Sequence, residues 1–423
     1  MSRTGPGTSR SGGFTAAAAR SRPNTTRWML LVFMFLSGCT QIAVAPLLPT
    51  YAHQFGLSRF GQGLLLAATG LATLAVALPS GALSDRLGSR RVTILSGGLM
   101  AGASLLQAFA PSFEMLLIAR LIFGAGYGIT WTSGLSWLSD VTPARSSIGG
   151  SVASAGLGNV VGPVLYALLV EHFGLSLPFM GTAFCLAAVT ALLMGLRGTD
   201  APAEMPAPMR AGILLAAQDR LTLSATAAIV VAGVSSGVAY LLVPGALHAD
   251  GASTGMIGLV FSGAGLLFVA GSAVTSWFGH AAIRLRVAIG GMLVLALAIS
   301  PAAASSASLA MIGMLFATSA ARSVVWTVAY PLGAVGAEES GAGIGLVMGL
   351  LNGVWAATAV VTPLLASVIA EHSSFRAVFG LAEIASVVLA GMLAVFVLKT
   401  PESPYRTLPA KAIRALRGLH PHD

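Results

Sequence analysis

Apolar runs of about twenty residues, the length needed to cross a bilayer core as a helix, recur along nearly the whole of this 423-residue chain. Twelve can be drawn, near 28–50, 60–83, 91–109, 113–138, 147–170, 177–196, 221–246, 256–278, 285–304, 307–331, 342–369 and 375–398. Apolar residues surround each run on all faces, and a helix of that kind must be buried in protein or in lipid. Inside lipid each backbone polar group must be satisfied within the protein, which leaves helices and closed barrels. The pattern predicts an all-α polytopic membrane protein. Composition agrees: 56% of residues are hydrophobic and only 9% charged, against about 25% charged in soluble domains.

The net charge of +9 invites a nucleic-acid reading, and the position of the charges argues against it. With the N-terminus in the cytoplasm, 19 of the 23 Lys and Arg residues fall in the two tails and the inner loops. The outer loops keep only Arg59 and Arg376, and Arg120 and Arg322 lie inside spans. Excess cytoplasmic Lys and Arg sets orientation, so both termini are expected in the cytoplasm of a cell membrane. Residues 1–27 carry five arginines and no acidic residue, a composition that suits a disordered tail and also loosely fits a transit peptide. The first span is too long for the apolar core of a signal peptide and is expected to be retained. Cys39 and Cys185 both fall in spans and give no disulfide or metal-ligand spacing.

Residues 197–220 form the least apolar interior segment, and they divide the spans six and six. This predicts a bundle over 28–196, a cytoplasmic linker over 197–220, a second bundle over 221–398 and a basic tail over 399–423. An offset of 195 residues relates the halves. Pro49 matches Pro244, Gly63-Leu64 matches Gly258-Leu259, Gly70-Leu71 matches Gly265-Leu266, and Trp131-Thr132 matches Trp326-Thr327. Two parallel six-helix repeats with a substrate site between them form a known transporter design.

The turn between spans 2 and 3 reads GALSDRLGSRR, residues 81–91. Positive-inside anchoring explains Arg86, Arg90 and Arg91 but not Asp85, Gly81 or Gly88. The stretch resembles the signature loop G-x-x-x-D-R-x-G-R-[RK] of the major facilitator superfamily, with Ser89 in place of the first basic residue. LLIARLIFGAGYG resembles that family's fourth-helix motif through Arg120, Gly124 and Gly128. Gly149, Gly158, Gly162 and Pro163 fit its fifth-helix antiporter motif, whose closing glycine is Tyr166 here. The resemblance covers about residues 28–398 and is to the twelve-span drug:proton antiporter type. It implies two pseudo-symmetric bundles, with helices 1, 4, 7 and 10 around a central cavity. It also implies a latch in which Asp85 docks near helix 11 in the outward-facing state. The second-half equivalent has Thr275 at the aspartate position, so one latch is legible.

An ionisable residue at mid-membrane costs about 2.5–3.5 kcal/mol on insertion scales and marks a functional site by default. Arg322, Trp326 and Tyr330 share a face of span 10 at i, i+4, i+8 spacing. The arginine is expected to face substrate, or else to bond carbonyls of a broken helix or pair with Glu383. Arg120 is expected near proton transfer or gating, as the family motif implies, or snorkelling to the outer interface. Tyr127, Trp131, Gln41 and Tyr240 are candidate cavity contacts, with Ser235 and Ser236 beside them. Asn159 and Asn352 are read as helix bridges. Glu383, the only deep acid, is either a proton-coupling site or an arginine's partner.

Spans 1, 4, 7 and 10 hold no acidic residue at depth, which leaves the cavity net positive and favours an anionic or neutral cargo over a cation. The expected function is secondary transport of a small organic solute, with export coupled to protons favoured. An importer or uniporter of a small anionic or neutral metabolite is the alternative. No catalytic constellation, P-loop or metal spacing is present, so neither an enzyme nor an ATP-driven pump is expected, and no cofactor or metal. The expected partners are a small-molecule substrate, membrane lipid and protons, with no nucleic acid, and the chain is expected to be a monomer.

Overall fold

The computed structural model describes residues 23–142, 144–196, 209–279 and 282–399. Every expected span is helical, and the ends lie within five residues of those read from hydropathy except that of the tenth, which runs nine residues further, to Ser340. The first half comprises α1 (Pro23–Phe55), α2 (Arg59–Leu87), α3 (Ser89–Ala108), α4 (Phe113–Ile129), α5 (Leu135–Val141), α6 (Ala144–Phe173) and α7 (Ser176–Met194). A π-helical turn, Thr130–Gly134, joins α4 to α5, so the two form one span. Within residues 197–220 lies the short α8 (Met209–Gln218). The second half comprises α9 (Arg220–Ala249), α10 (Thr254–Trp277), α11 (Leu285–Leu297), α12 (Ser300–Ala304), α13 (Ser308–Ser340), α14 (Ile344–His372) and α15 (Phe375–Lys399). Because α1 opens at Pro23, residues 23–27 are helix rather than tail.

Among the described residues, eleven segments are long and apolar enough to cross a membrane. The expected twelfth, α3, falls short in hydropathy because Arg90 and Arg91 occupy its first turn. Its 20 residues still span about 30 Å at 1.5 Å per residue, and it packs between α4 and α7. Starts are set by side-chain caps, which satisfy otherwise orphaned backbone donors. Ser58 Oγ accepts from the Gly61 N–H at 3.1 Å, and Asp219 Oδ2 from the Thr222 N–H at 2.6 Å. Gly88 takes φ 85°, ψ 142° between α2 and α3, a left-handed conformation open mainly to glycine.

The repeated glycines mark where the halves press together. A Cβ on Gly63 of α2 would stand 2.7 Å from the Pro363 carbonyl of α14, and one on Gly258 of α10 would stand 2.7 Å from the Pro163 carbonyl of α6. One turn-pair further along, Gly70 meets Ala356 and Ala359 of α14, and Gly265 meets the Asn159 carbonyl of α6 at 2.8 Å. The 195-residue repeat thus places the same small residues in two pseudo-symmetric crossings, α2 on α14 and α6 on α10. Close backbone approach of this kind substitutes for the hydrophobic drive that lipid removes.

These crossings seal one end of the bundle. At that end Thr50 bonds Thr254 at 3.3 Å, the Phe60 N–H donates to Glu371 Oε1 at 2.9 Å, and Ser253 Oγ donates to Glu171 Oε2 at 3.1 Å. An even number of spans puts the first and last described residues at the opposite end. Toward that end Gly81 of α2 and Gly345, Gly349 and Gly353 of α14 have nothing within 4 Å of a built Cβ. Among the described residues the halves are therefore joined at the end away from the tails, and these glycines of α2 and α14 meet no neighbour toward the tail end.

Candidate functional site

Arg322 lies about 21 Å along α13, at mid-depth by the helical rise, and is only 6% exposed. Its Nη1 donates to Ser236 Oγ at 2.6 Å, and its Nη2 donates to Ser319 Oγ at 3.3 Å and to the Tyr240 hydroxyl at 3.4 Å. Ser236 in turn donates to the Ala232 carbonyl at 2.7 Å, which fixes its lone pairs on the guanidinium. The rings of Tyr240 and Phe268 each lie 5.7 Å from the guanidinium carbon. Among the described residues no carboxylate pairs with Arg322. The alternative of a bridge to Glu383 is not realised: Glu383 accepts from Ser300 Oγ of α12 at 2.5 Å. A buried cation held only by hydroxyls and ring faces keeps its positive field for whatever enters beside it.

The rest of the expected face follows. Trp326 stacks on Tyr330 at 5.0 Å with planes 16° apart, and Trp355 of α14 meets Trp326 edge-on at 5.0 Å. The Tyr330 hydroxyl donates to Asn352 Oδ1 at 2.8 Å, so Asn352 bridges α13 and α14 as expected. In the first half Tyr127 and Trp131 make an edge contact at 6.2 Å, and Tyr127 lies within electrostatic reach of Tyr330 across the halves. Trp131 sits in the π-helical turn, an irregularity common at functional sites that hydropathy does not reveal. Phe268 and Trp355 are also absent from the sequence reading. Gln41 is partly exposed on α1, and its Oε1 has no partner among the described residues.

Arg120 does not snorkel. It is 1% exposed within the first half, 5.5 Å from the Phe123 ring, and Tyr51 and Tyr166 are the ionisable groups within its electrostatic reach. Its Nε and Nη1 have no acceptor among the described residues. Arg120 and Glu383 are not brought together.

His53, His172, His248 and His372 occupy the last turns of α1, α6, α9 and α14. No group of three His, Cys, Asp or Glu among the described residues is placed to hold a metal ion.

The Major Facilitator Superfamily model matches residues 30–345. The chain belongs to the Major Facilitator Superfamily. It is 31% identical over 164 residues to the multidrug efflux pump LfrA of Mycolicibacterium smegmatis, covering 36% of this chain and 32% of that one. It is 31% identical over 121 residues to the 4-hydroxybenzoate transporter PcaK of Pseudomonas putida, covering 28% and 27%. The chain spans less than half the length of the curated relatives it matches. A crystal structure of a bacterial homologue of the human lysosomal transporter Spinster, inward-facing and occupied, superposes with a TM-score of 0.69 at 16% identity. That match covers 88% of this chain and 95% of the other, and it carries the fold alone.

The superfamily's motif residues have definite packing here. Gly158 and Gly162 bring α6 onto the α1 backbone, where built Cβ atoms would stand 2.5 Å from the Phe35 and Cys39 carbonyls. Pro163 presents its carbonyl to Gly258. Gly149 lies in α6, with its surroundings outside the described residues. In the signature loop, Arg90 donates from Nε to the Leu196 carbonyl at 2.7 Å and from Nη2 to the Met194 carbonyl at 2.6 Å. It thereby caps the C-terminal end of α7, where positive charge is favoured. Ser89 Oγ donates to Asp140 Oδ2 at 3.3 Å. Gly81 ends in open space, Arg86 and Arg91 are exposed, and the Asp85 side chain lies outside the described residues.

Proposed function

We propose that this transporter carries a small anionic or neutral organic solute by alternating access, exporting it from the cell in exchange for protons. Arg322 carries the reading: a mid-depth cation of the second half, held by hydroxyls and opposed by no carboxylate among the described residues, attracts an anion and repels a cation. With the tails in the cytoplasm, the joined end faces outward, as in the state from which an exporter loads. The fifth-helix packing of Gly158 and Gly162 on α1, and of Pro163 against Gly258 of α10, favours exchange, and a multidrug efflux pump among the relatives agrees with export. Arg120 acts in gating or proton transfer, Glu383 is a second proton site, and residues 81–91 form the latch of the outward-facing state. The transporter works as a monomer in the cell membrane.

An importer or uniporter on the same scaffold is the second reading, favoured by the 4-hydroxybenzoate transporter among the relatives, whose cargo is an organic anion. Counterflow in proteoliposomes of known orientation separates the two. Export by exchange predicts solute movement driven by an imposed pH gradient. Movement at one rate with and without the gradient supports the uniporter.

A further inference from the structure

Resting on the reading of Arg322 as the cargo's counter-charge, we propose that the cavity selects planar aromatic monoanions: the acid group on Arg322, the ring against its aromatic walls. Three hydrogen bonds, to Ser236, Ser319 and Tyr240, occupy at most three of the five guanidinium N–H groups. The Nε–H and one Nη1–H are left, on different edges of the guanidinium, and an acid oxygen can accept from either. The hydroxyls and the Tyr240 and Phe268 rings hold the guanidinium in one orientation, so little ordering is needed when an acid binds.

The walls determine what the acid is attached to. Trp326, Tyr330 and Trp355 form one cluster, with centroids 5.0 Å apart, a turn from Arg322 on the α13 side. In the first half, Tyr127, in edge contact with Trp131, lies within electrostatic reach of Tyr330. All five rings are partly exposed. Partly exposed rings at bilayer depth offer flat apolar surface, and an aromatic guest gains from them by offset or edge contact as well as by area. The charge count determines the valence. With one cation and, among the described residues, no second basic group bonded beside it, a second carboxylate would be left unpaired among rings, which is costly. A cation would meet Arg322 with no acid to offset it.

The test is equilibrium dialysis of purified full-length protein against radiolabelled benzoate, cyclohexanecarboxylate, phthalate and benzylamine, repeated with Arg322→Gln and Trp326→Leu. Thermal melting of each variant checks folding. Benzoate is expected to bind at least about tenfold more tightly than each of the other three. Arg322→Gln is expected to remove benzoate binding, and Trp326→Leu to erase the preference over cyclohexanecarboxylate while keeping acid binding. Equal binding of cyclohexanecarboxylate and benzoate overturns the aromatic proposal and leaves the anionic reading standing. Undiminished benzoate binding by folded Arg322→Gln overturns both, as does preference for benzylamine. Failure of benzoate to bind wild-type protein overturns the aromatic proposal.

Discussion

The Glu371 carboxylate at the end of α14 accepts a hydrogen bond from the Phe60 N–H in the first turn of α2, across the two halves, at 2.9 Å. Glu171 at the end of α6 does the same for Gly255 in the first turn of α10. Phe60 and Gly255 are each the second helical residue after a serine cap, Ser58 and Ser253. Each half thus sends one anion to a helix N-terminus of the other, where the dipole favours negative charge. These paired clasps close the end away from the tails.

Neutralising both clasps favours opening of that end. Glu171→Gln with Glu371→Gln is expected to shift the balance toward the outward-open state, by up to about fivefold for each exposed clasp. Spin labels on the α1–α2 and α9–α10 loops report the distance distribution. An unchanged distribution rejects the role.

The glycine crossings are less tolerant. At Gly258 a Cβ would meet Ala167 Cβ at 2.4 Å, and overpacking of a tight contact costs about 1–3 kcal/mol. Gly258→Val is expected to prevent closure of the sealed end and stop transport, whereas Gly290→Val, with nothing within 4 Å, leaves it intact. Paired transport assays check both.

Arg120 is a buried charge without a carboxylate partner among the described residues. Replacing such a group with an apolar side chain of similar size is often neutral or stabilising. Arg120→Met is expected to keep or raise the melting temperature while proton-driven transport falls. Thermal unfolding in detergent and pH-driven uptake, measured on one preparation, separate a functional loss from a structural one.

Arg90 caps the carbonyls of Met194 and Leu196. Arg90→Ala removes two charge-assisted bonds and is expected to lower stability by about 1–3 kcal/mol, with Arg90→Lys recovering part. The melting temperatures of the three proteins check the order.

The fold was legible because each span needs a fixed apolar length, and that length is a property of local sequence. The Gly63/Gly258 and Gly70/Gly265 register was equally legible, since pseudo-symmetric crossings require the same small residues twice. That Arg322, Trp326 and Tyr330 share a face was legible because a helix face follows from a period of 3.6 residues. Phe268 and Trp355 were missed because they reach Arg322 and Trp326 from other helices, and no spacing within one helix encodes that. The π-helical turn at Thr130–Gly134 leaves no mark on hydropathy. Glu171 and Glu371 went unread because their partners, the Gly255 and Phe60 N–H groups, lie on the opposite half. The alternatives for Arg120 and Glu383 depended on tertiary neighbours, and the structure separates the two residues.

The most direct test of a cationic cavity is solute uptake by proteoliposomes containing wild-type, Arg322→Lys or Arg322→Ala protein at matched insertion. Wild-type transport, partial activity for the lysine variant and at least about a tenfold loss for the alanine variant, roughly one charge-assisted contact, are expected. Transport by Arg322→Ala at the wild-type rate would contradict the assignment of Arg322 to the cargo.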